Sequence, residues 1–218
     1  MKLRASNNQE KALTLIDVVV IIFIVFILAI VAFLVLLPMA ARDRIRSGPN
    51  CVNNLKEVYL GSLIWAGDHN DKFPFEISVA NGGTREYAQE GDILGTFQVM
   101  SNELSTPKIL LCQMDKSHTS ATNFSSDFSV KNISYFVGLD ADKNNPASIF
   151  AGDDNFEISG VPVKSDLLTV PANASIGWTA ARHKFSGNIG LADGSVQQTT
   201  SSDLAGYFTN SLTRLAIP

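Results

Sequence analysis

Residues 13–41 read LTLIDVVVIIFIVFILAIVAFLVLLPMAA, and Asp17 is the only charged residue among them. A helix needs roughly 20 apolar residues to cross a bilayer core of about 30 Å, whereas a surface helix of a globular domain has a polar face. The stretch therefore predicts a single membrane-spanning helix. A cleaved secretory signal, whose apolar region is usually roughly 7–15 residues long, and a buried core helix are the alternatives.

The rest of the chain has the composition of an ordinary soluble domain. The 218 residues include 17 Lys and Arg against 21 Asp and Glu, and the pI is near 5.3. A nucleic-acid-binding domain needs a basic face to neutralise phosphates, so we do not expect nucleic acid as a partner. The sequence has no Gly-x-Ser-x-Gly, His-Glu-x-x-His or glycine-rich phosphate loop, so we do not expect an enzyme.

Asp17 is an unusual residue at its position. A carboxylate costs about 2.5–3.5 kcal/mol at the centre of a membrane helix, and less near the interface. One interpretation is an acid that faces the lipid headgroups. The other is an acid that pairs with a cation from a neighbouring subunit, such as the amine that a cut between Ala12 and Leu13 would create.

The N-terminal pattern resembles the type IV prepilin signature, which pilins share with the pseudopilins of type II secretion. The shared features are a short basic leader, a small residue, Leu-Thr-Leu-Ile-acid and a long apolar run. The resemblance implies that a prepilin peptidase cuts between Ala12 and Leu13, that the new amine is methylated, and that Asp17 sets the register of filament subunits. This chain has Ala12, Leu13 and Asp17 where the family usually has Gly, Phe and Glu.

A second set of motifs extends the resemblance along the chain. His183 is followed by nine residues and then by Asp193-Gly194, which is a hallmark of prepilin-type proteins abundant in planctomycete and verrucomicrobial bacteria. Segments 51–56 and 65–74 are similar to the helix end in the same proteins.

The resemblance implies a structural subunit of a type IV pilus-like or type II secretion pseudopilus filament. Such a subunit is anchored in the bacterial inner membrane by a single pass, with its C-terminal domain in the periplasm. Its partners would be copies of itself, the membrane, the prepilin peptidase and the assembly platform of the inner membrane. A membrane-anchored periplasmic binding domain that never polymerises is the alternative.

The patterns predict an α+β protein in four parts. These are a leader (1–12), a transmembrane and polymerisation helix (13–41), a helical stalk (42–74) and an α+β head (75–218). Gly48-Pro49 predicts a break in the long helix, and the apolar spacing that follows is typical of an amphipathic helix ending near residues 67–71. We expect this second helix to pack on a small antiparallel sheet, as in pilins.

The elements of the head are predicted from short apolar runs and turn residues. Asp193-Gly194 lies between two strand-like segments and suits a type I′ hairpin turn, which gives both residues a structural role. We expect His183 to hydrogen-bond loop backbone near that turn. The remaining predictions are a strand or a buried extended segment over 108–112, strands over 133–139, 148–151 and 175–179, and helices over 97–104 and 203–212.

Cys51 and Cys112 are the only cysteines. A pair of cysteines suits a disulfide in an oxidising compartment, and two buried free thiols are the alternative.

One acidic segment resembles a metal-binding loop. Asp140, Asp142 and Asn144 match the first half of a calcium loop, but Ala151 stands where a bidentate Glu belongs. A solvated turn explains the same residues, and we expect no other cofactor.

Overall fold

The computed structural model describes residues 15–46, 49–208 and 212–218. The chain divides into two compact units, residues 1–45 and 46–218. The predicted leader and the predicted cleavage site between Ala12 and Leu13 lie outside the described residues.

The first unit is one long helix, α1 (Leu15–Arg46), with Asp17 in its first turn. Every residue from 15 to 33 is exposed, including Leu15 at 82% and Phe23 at 64%. Among the described residues, Leu15–Phe33 is the one stretch long and apolar enough to cross a membrane, and its place near the N-terminus also fits a signal sequence.

The second unit begins with α2 (Pro49–Gly67). Helix α1 is described up to Arg46 and α2 begins at Pro49. The predicted break at Gly48-Pro49 stays a prediction, because residues 47–48 lie outside the described residues. Proline suits the first position of a helix, since its missing N–H has no intrahelical partner there. The predicted end of this helix near residues 67–71 is confirmed.

The head is built around a six-stranded antiparallel sheet in the order β5-β9-β1-β2-β7-β8, and a three-stranded sheet has the order β4-β3-β6. Helix α2 packs against β2, β7 and β8. The predicted α+β class with antiparallel sheets is thereby confirmed. The strands are β1 (Tyr135–Gly138), β2 (Ile149–Asp153), β3 (Phe156–Ile158), β4 (Val161–Pro162), β5 (Asp166–Val170), β6 (Ile176–Trp178), β7 (Ser186–Leu191), β8 (Val196–Thr200) and β9 (Thr213–Ile217).

Short helices complete the head. Their bounds are α3 (Arg85–Gln89), α4 (Ile93–Val99), α5 (Ser101–Leu104) and α6 (Ser201–Gly206), with 3₁₀ turns at Pro74–Glu76, Val79–Asn81, Pro107–Leu110 and Val130–Asn132. Helices α3, α4 and α5 pack in sequence on one another, α5 also packs on α2, and α6 packs on β6 and β8.

The large sheet is buried on both faces. Successive residues of a strand point to opposite faces, and β1 shows this directly. Tyr135 lies in the core that includes Leu55 of α2, whereas Phe136 lies in the core that includes Trp178 of the small sheet. The head is therefore a layered structure with one core on each side of β1.

Three predicted elements differ from the structure. The predicted helix over 97–104 is replaced by α4 and α5, which are separated at Met100. Residues 107–110 form a 3₁₀ turn instead of a strand or an extended segment, because Thr106 accepts a hydrogen bond from the Lys108 N–H and Pro107 begins the turn. The last helix ends at Gly206, and residues 213–217 form β9 between β5 and β1. Pairing with two distant strands, rather than local propensity, determines the conformation there.

The hairpin at Asp193-Gly194 exists, but its predicted type I′ turn is wrong. Gly194 has a φ of +82°, whereas Asp193 is not among the residues with positive φ. The Leu191 N–H donates to the Ser195 carbonyl (2.9 Å), so the loop holds three residues instead of two. A three-residue hairpin loop needs only one left-handed residue, which is the glycine.

Gly194→Ala tests the contact between this loop and α2. The new Cβ would lie 2.5 Å from the Tyr59 ring at a backbone φ of +82°, and Tyr59 Oη donates to the Ala192 carbonyl (2.6 Å). We expect a loss of about 2–4 kcal/mol in the free energy of unfolding. The measurement is urea unfolding of the full chain in detergent micelles, followed by the fluorescence of Trp65 and Trp178.

Gly67→Ala is the matched control, because within the described chain its new Cβ would meet nothing within 4 Å. We expect a change of no more than about 0.5 kcal/mol. Equal stability of the two variants would contradict the proposed steric role of Gly194.

Candidate functional site

The head buries a charged side chain, Arg182, which is 4% exposed. Its Nη2 lies 2.5 Å from Asp115 Oδ2 and 2.5 Å from Asp154 Oδ1, and its Nη1 donates to the Ser134 carbonyl (2.8 Å). Removing a charge from water costs several kcal/mol unless it is paired. Arg182 therefore ties together the loop after residue 110, the segment before β1 and the residue after β2.

Asp115 is the best-satisfied acid of this cluster. Its carboxylate accepts hydrogen bonds from the Ser117 hydroxyl (2.6 Å) and the Ser134 hydroxyl (2.7 Å), and it lies 2.6 Å from His118 Nδ1. Burial alone would raise the pKa of Asp115, but the Ser117 hydrogen bond and the charge of Arg182 outweigh it and hold the pKa well below its usual range. Asp115 is therefore the ionised partner of Arg182 at neutral pH.

The pKa values of Asp153 and Asp154 are shifted in the opposite direction, upward. Burial raises the pKa of each to about 6, and the charge of Arg182 only partly offsets this effect. Asp153 Oδ2 accepts hydrogen bonds from the Asn188 N–H (2.7 Å) and side-chain amide (2.8 Å). Two buried acids that titrate near neutral pH thus lie beside one that does not.

The His183 side chain is enclosed within the head, with 1% of it exposed. Its Nε2 lies 3.2 Å from Cys112 Sγ and 3.5 Å from Asp153 Oδ2. Burial lowers the pKa of His183, and the charge of Arg182 adds to this effect. The ring is consequently neutral at neutral pH, and its approach to Asp153 is a polar contact rather than an ion pair.

An unusual turn holds His183 in place. His183, Lys184 and Phe185 have φ values of 46°, 50° and 63°, a conformation that costs a non-glycine residue roughly 1–2 kcal/mol. The Ser186 hydroxyl donates to the His183 carbonyl, and β7 follows at once. The turn directs His183 inward, while Lys184 and Phe185 are exposed.

The structure joins Cys51 and Cys112 in a disulfide, with their Cα atoms 5.1 Å apart. Both cysteines are fully buried. The bond closes 61 residues of chain, and on the entropy model such a loop stabilises the folded state by about 4 kcal/mol. It fixes the first turn of α2 to the loop that leads to Asp115, and Asn54 Nδ2, which donates to the Leu111 carbonyl (3.0 Å), supports the same contact.

The two parts of the predicted His-x9-Asp-Gly motif do not meet. His183 precedes β7 and faces the disulfide, whereas Asp193 and Gly194 follow β7. The expectation that His183 lies near the hairpin turn is wrong, because the whole strand separates them. Asp193 is exposed, and hydrogen bonds from Ser195 lower its pKa.

The residues of the predicted calcium loop have partners within the chain. Asp140 pairs with the Arg214 guanidinium and accepts its backbone N–H (2.7 Å). Asp142 Oδ1 accepts hydrogen bonds from the backbone (2.8 Å) and side chain (2.9 Å) of Asn144. The structure thus accounts for these side chains as a turn, and calcium stays a prediction.

Sequence reasoning missed the central role of Arg182 and its acids. These residues come from positions near 115, 154 and 182, so no local spacing joins them. The available signals were weak: Asp153 ends the apolar strand β2, Asp154 follows it, and Arg182 adjoins His183.

Asp154→Asn tests the cost of the buried acids. Folding raises the pKa of Asp154 from 3.8 to about 6, so its contribution to stability is complete below about pH 4 and is lost as the pH rises through about 6. The amide is neutral at every pH. We expect Asp154→Asn to raise the free energy of unfolding by about 1–3 kcal/mol near pH 8 and to match the wild type near pH 4.

The same fluorescence-detected unfolding experiment measures this difference. Asp68→Asn, at an exposed turn after α2, is the control and should leave the pH profile unchanged. If Asp154→Asn is the less stable protein near pH 8, the Arg182 ion pair outweighs the cost of burial and the assignment fails.

Comparison with known proteins finds no matching family model, no similar curated protein and no similar solved structure.

Proposed function

We propose that this chain is a membrane-anchored filament subunit of the prepilin type. The observation that carries the proposal is the surface of α1, where every residue from 15 to 33 is exposed and nearly all are large and apolar. Such a surface is strongly unfavourable in water. Lipid covers it before assembly, and helices of neighbouring copies cover it in the filament.

Assembly exchanges lipid contacts for helix–helix contacts. Lipid tails are as apolar as the side chains of α1, so association depends on close packing and on a few polar interactions. In the proposal, Asp17 in the first turn of α1 provides one of these, by pairing with the amine of a processed neighbour. A charge pair is stronger in the low dielectric of a helix bundle than in water, and it fixes one register between subunits.

The head supplies the outer layer of the proposed filament. Helix α2 packs on the large sheet, and it exposes Leu60 and Ile64 on one side. Residues four apart lie on the same face of a helix, so they form a small apolar pair available to a neighbouring subunit. The disulfide keeps α2 fixed to the head during assembly.

A membrane-anchored binding domain that does not polymerise is the second candidate. Ala12 and Asp17, which depart from the residues usual in prepilins, favour it. Processing and assembly experiments distinguish the two candidates.

The first experiment is mass spectrometry of the protein recovered from membranes of a host with an active prepilin peptidase. We expect a chain that begins at Leu13 and carries one added methyl group. Ala12→Leu should block processing because the small residue is lost, whereas Ala5→Leu should not. An intact leader on the wild-type chain would count against the proposal.

The second experiment is photo-crosslinking from a photoreactive residue at position 25, within the apolar surface of α1. We expect a ladder of oligomers from the wild type and from Asp17→Glu, which keeps the carboxylate. Asp17→Leu should reduce the ladder at least tenfold, which is the effect of losing an interaction of about 1.4 kcal/mol or more. A ladder of equal yield from Asp17→Leu, with the head folded by tryptophan fluorescence, would exclude the register role of Asp17.

A further inference from the structure

Three ligand atoms of the kind that zinc prefers converge inside the head. The sulfurs of Cys51 and Cys112 and a ring nitrogen of His183 all lie within 4.8 Å of one another. Thiolate sulfur and imidazole nitrogen are the commonest ligands of zinc in proteins. In the oxidised protein the two sulfurs are joined to each other and are not available as thiolates.

We propose that reduction of the Cys51–Cys112 disulfide creates a site for a zinc-like divalent metal, with Cys51, Cys112 and His183 as its three protein ligands. This function goes beyond filament assembly and does not depend on it.

The distances suit a tetrahedral site. With Zn–S bonds of about 2.3 Å and Zn–N bonds of about 2.0–2.1 Å, neighbouring ligand atoms are about 3.3–3.8 Å apart. His183 Nε2 lies 3.2 Å from Cys112 Sγ, close to this range. The two sulfurs must move apart, and cleavage of the bond between them permits this.

The surroundings favour a bound dication. Asp153 is fully buried, and within the described part of the chain its Oδ1 accepts no hydrogen bond. Cys51 lies in the first turn of α2, where the helix dipole favours a negative sulfur. The left-handed turn at residues 183–185 holds the imidazole against the sulfurs before any metal arrives.

The net charge of the buried site also permits the disulfide to be replaced by two thiolates and a divalent metal ion. A dithiol reductant gives two electrons and two protons to the disulfide, which becomes two thiols while the reductant becomes a disulfide. Metal binding then releases both thiol protons to solvent. Because a dication with two thiolates is neutral, as the disulfide is, these groups add no net charge to the buried site.

Each of the three ligands has an exposed neighbour in the chain. These neighbours are Lys184 and Phe185 after His183, Asn50 beside Cys51 and Gln113 beside Cys112. In the proposal, a small reductant and a metal ion enter between these segments.

The test uses the full chain in detergent micelles, reduced without oxygen by a phosphine, which becomes a phosphine oxide with oxygen from water. A phosphine replaces the dithiol because dithiols bind metals themselves. Co²⁺ is the probe, followed by Zn²⁺. We expect one equivalent of Co²⁺ to give the thiolate-to-cobalt charge-transfer band and the intense visible bands of a tetrahedral site, and Zn²⁺ to abolish them. The oxidised chain should give neither.

The matched variants are His183→Asn, which tolerates the left-handed backbone, and His69→Asn. His69 stacks on Trp65 with ring centroids 3.6 Å apart and is not a proposed ligand. We expect His183→Asn to weaken Co²⁺ binding at least about tenfold. Even mutations of residues that only support the ligands weaken metal binding by about 10–100-fold. His69→Asn should leave the Co²⁺ affinity unchanged.

Two results would overturn the proposal. One is a reduced, folded wild type with two titratable thiols and no thiolate-to-cobalt band. The other is equal Co²⁺ affinity in His183→Asn and the wild type.

A second experiment applies if His183→Asn or the reduced chain does not fold. The wild type and His69→Asn are then reduced with Zn²⁺ already present. Zn²⁺ must then slow alkylation of both thiols, and the absence of any slowing also rejects the site.

Discussion

The guanidinium of Arg182 is the constraint on which the head depends. It is buried, and the groups within reach of it come from three separate segments, at Asp115, Ser134 and Asp154. Losing Asp115, its ionised partner, would leave an unpaired charge in the interior, which costs more than the pairing itself gains. The loop near 115, the end of β2 and the turn before β7 must therefore close together. This cooperative closure positions His183 over the disulfide, because His183 is the next residue in the chain.

The two units differ in whether their apolar side chains are buried within the chain. Residues 46–218 bury their own apolar side chains in two cores on either side of the large sheet. Helix α1 leaves Leu15, Phe23 and their neighbours exposed, so its stability in a cell depends on an apolar environment outside the chain.

Local patterns in the sequence were sufficient for the elements that depend on local physics. The unbroken apolar stretch predicts α1, and the spacing after Gly48-Pro49 predicts α2. The sequence does not predict β9, because residues 213–217 become a strand only through pairing with β1 and β5. The cluster around Arg182 was missed for a related reason: its members are up to 67 positions apart in the chain, between Asp115 and Arg182, and a charged residue is ordinarily read as surface.

The His-x9-Asp-Gly spacing has a physical interpretation in this fold. Its two ends lie before and after β7, and each end meets an element attached to α2. His183 contacts Cys112, which is bonded to Cys51 in the first turn of α2, and Gly194 leaves room for the ring of Tyr59, two helical turns later. The nine intervening residues contain the six of β7. An inserted residue in β7 would turn every following side chain to the opposite face, and the glycine would no longer lie under Tyr59. The nine-residue spacing therefore lets both ends of β7 contact α2 or the disulfide attached to it. The disulfide and the left-handed turn hold the His183 end, where atoms of Cys51, Cys112 and His183 converge.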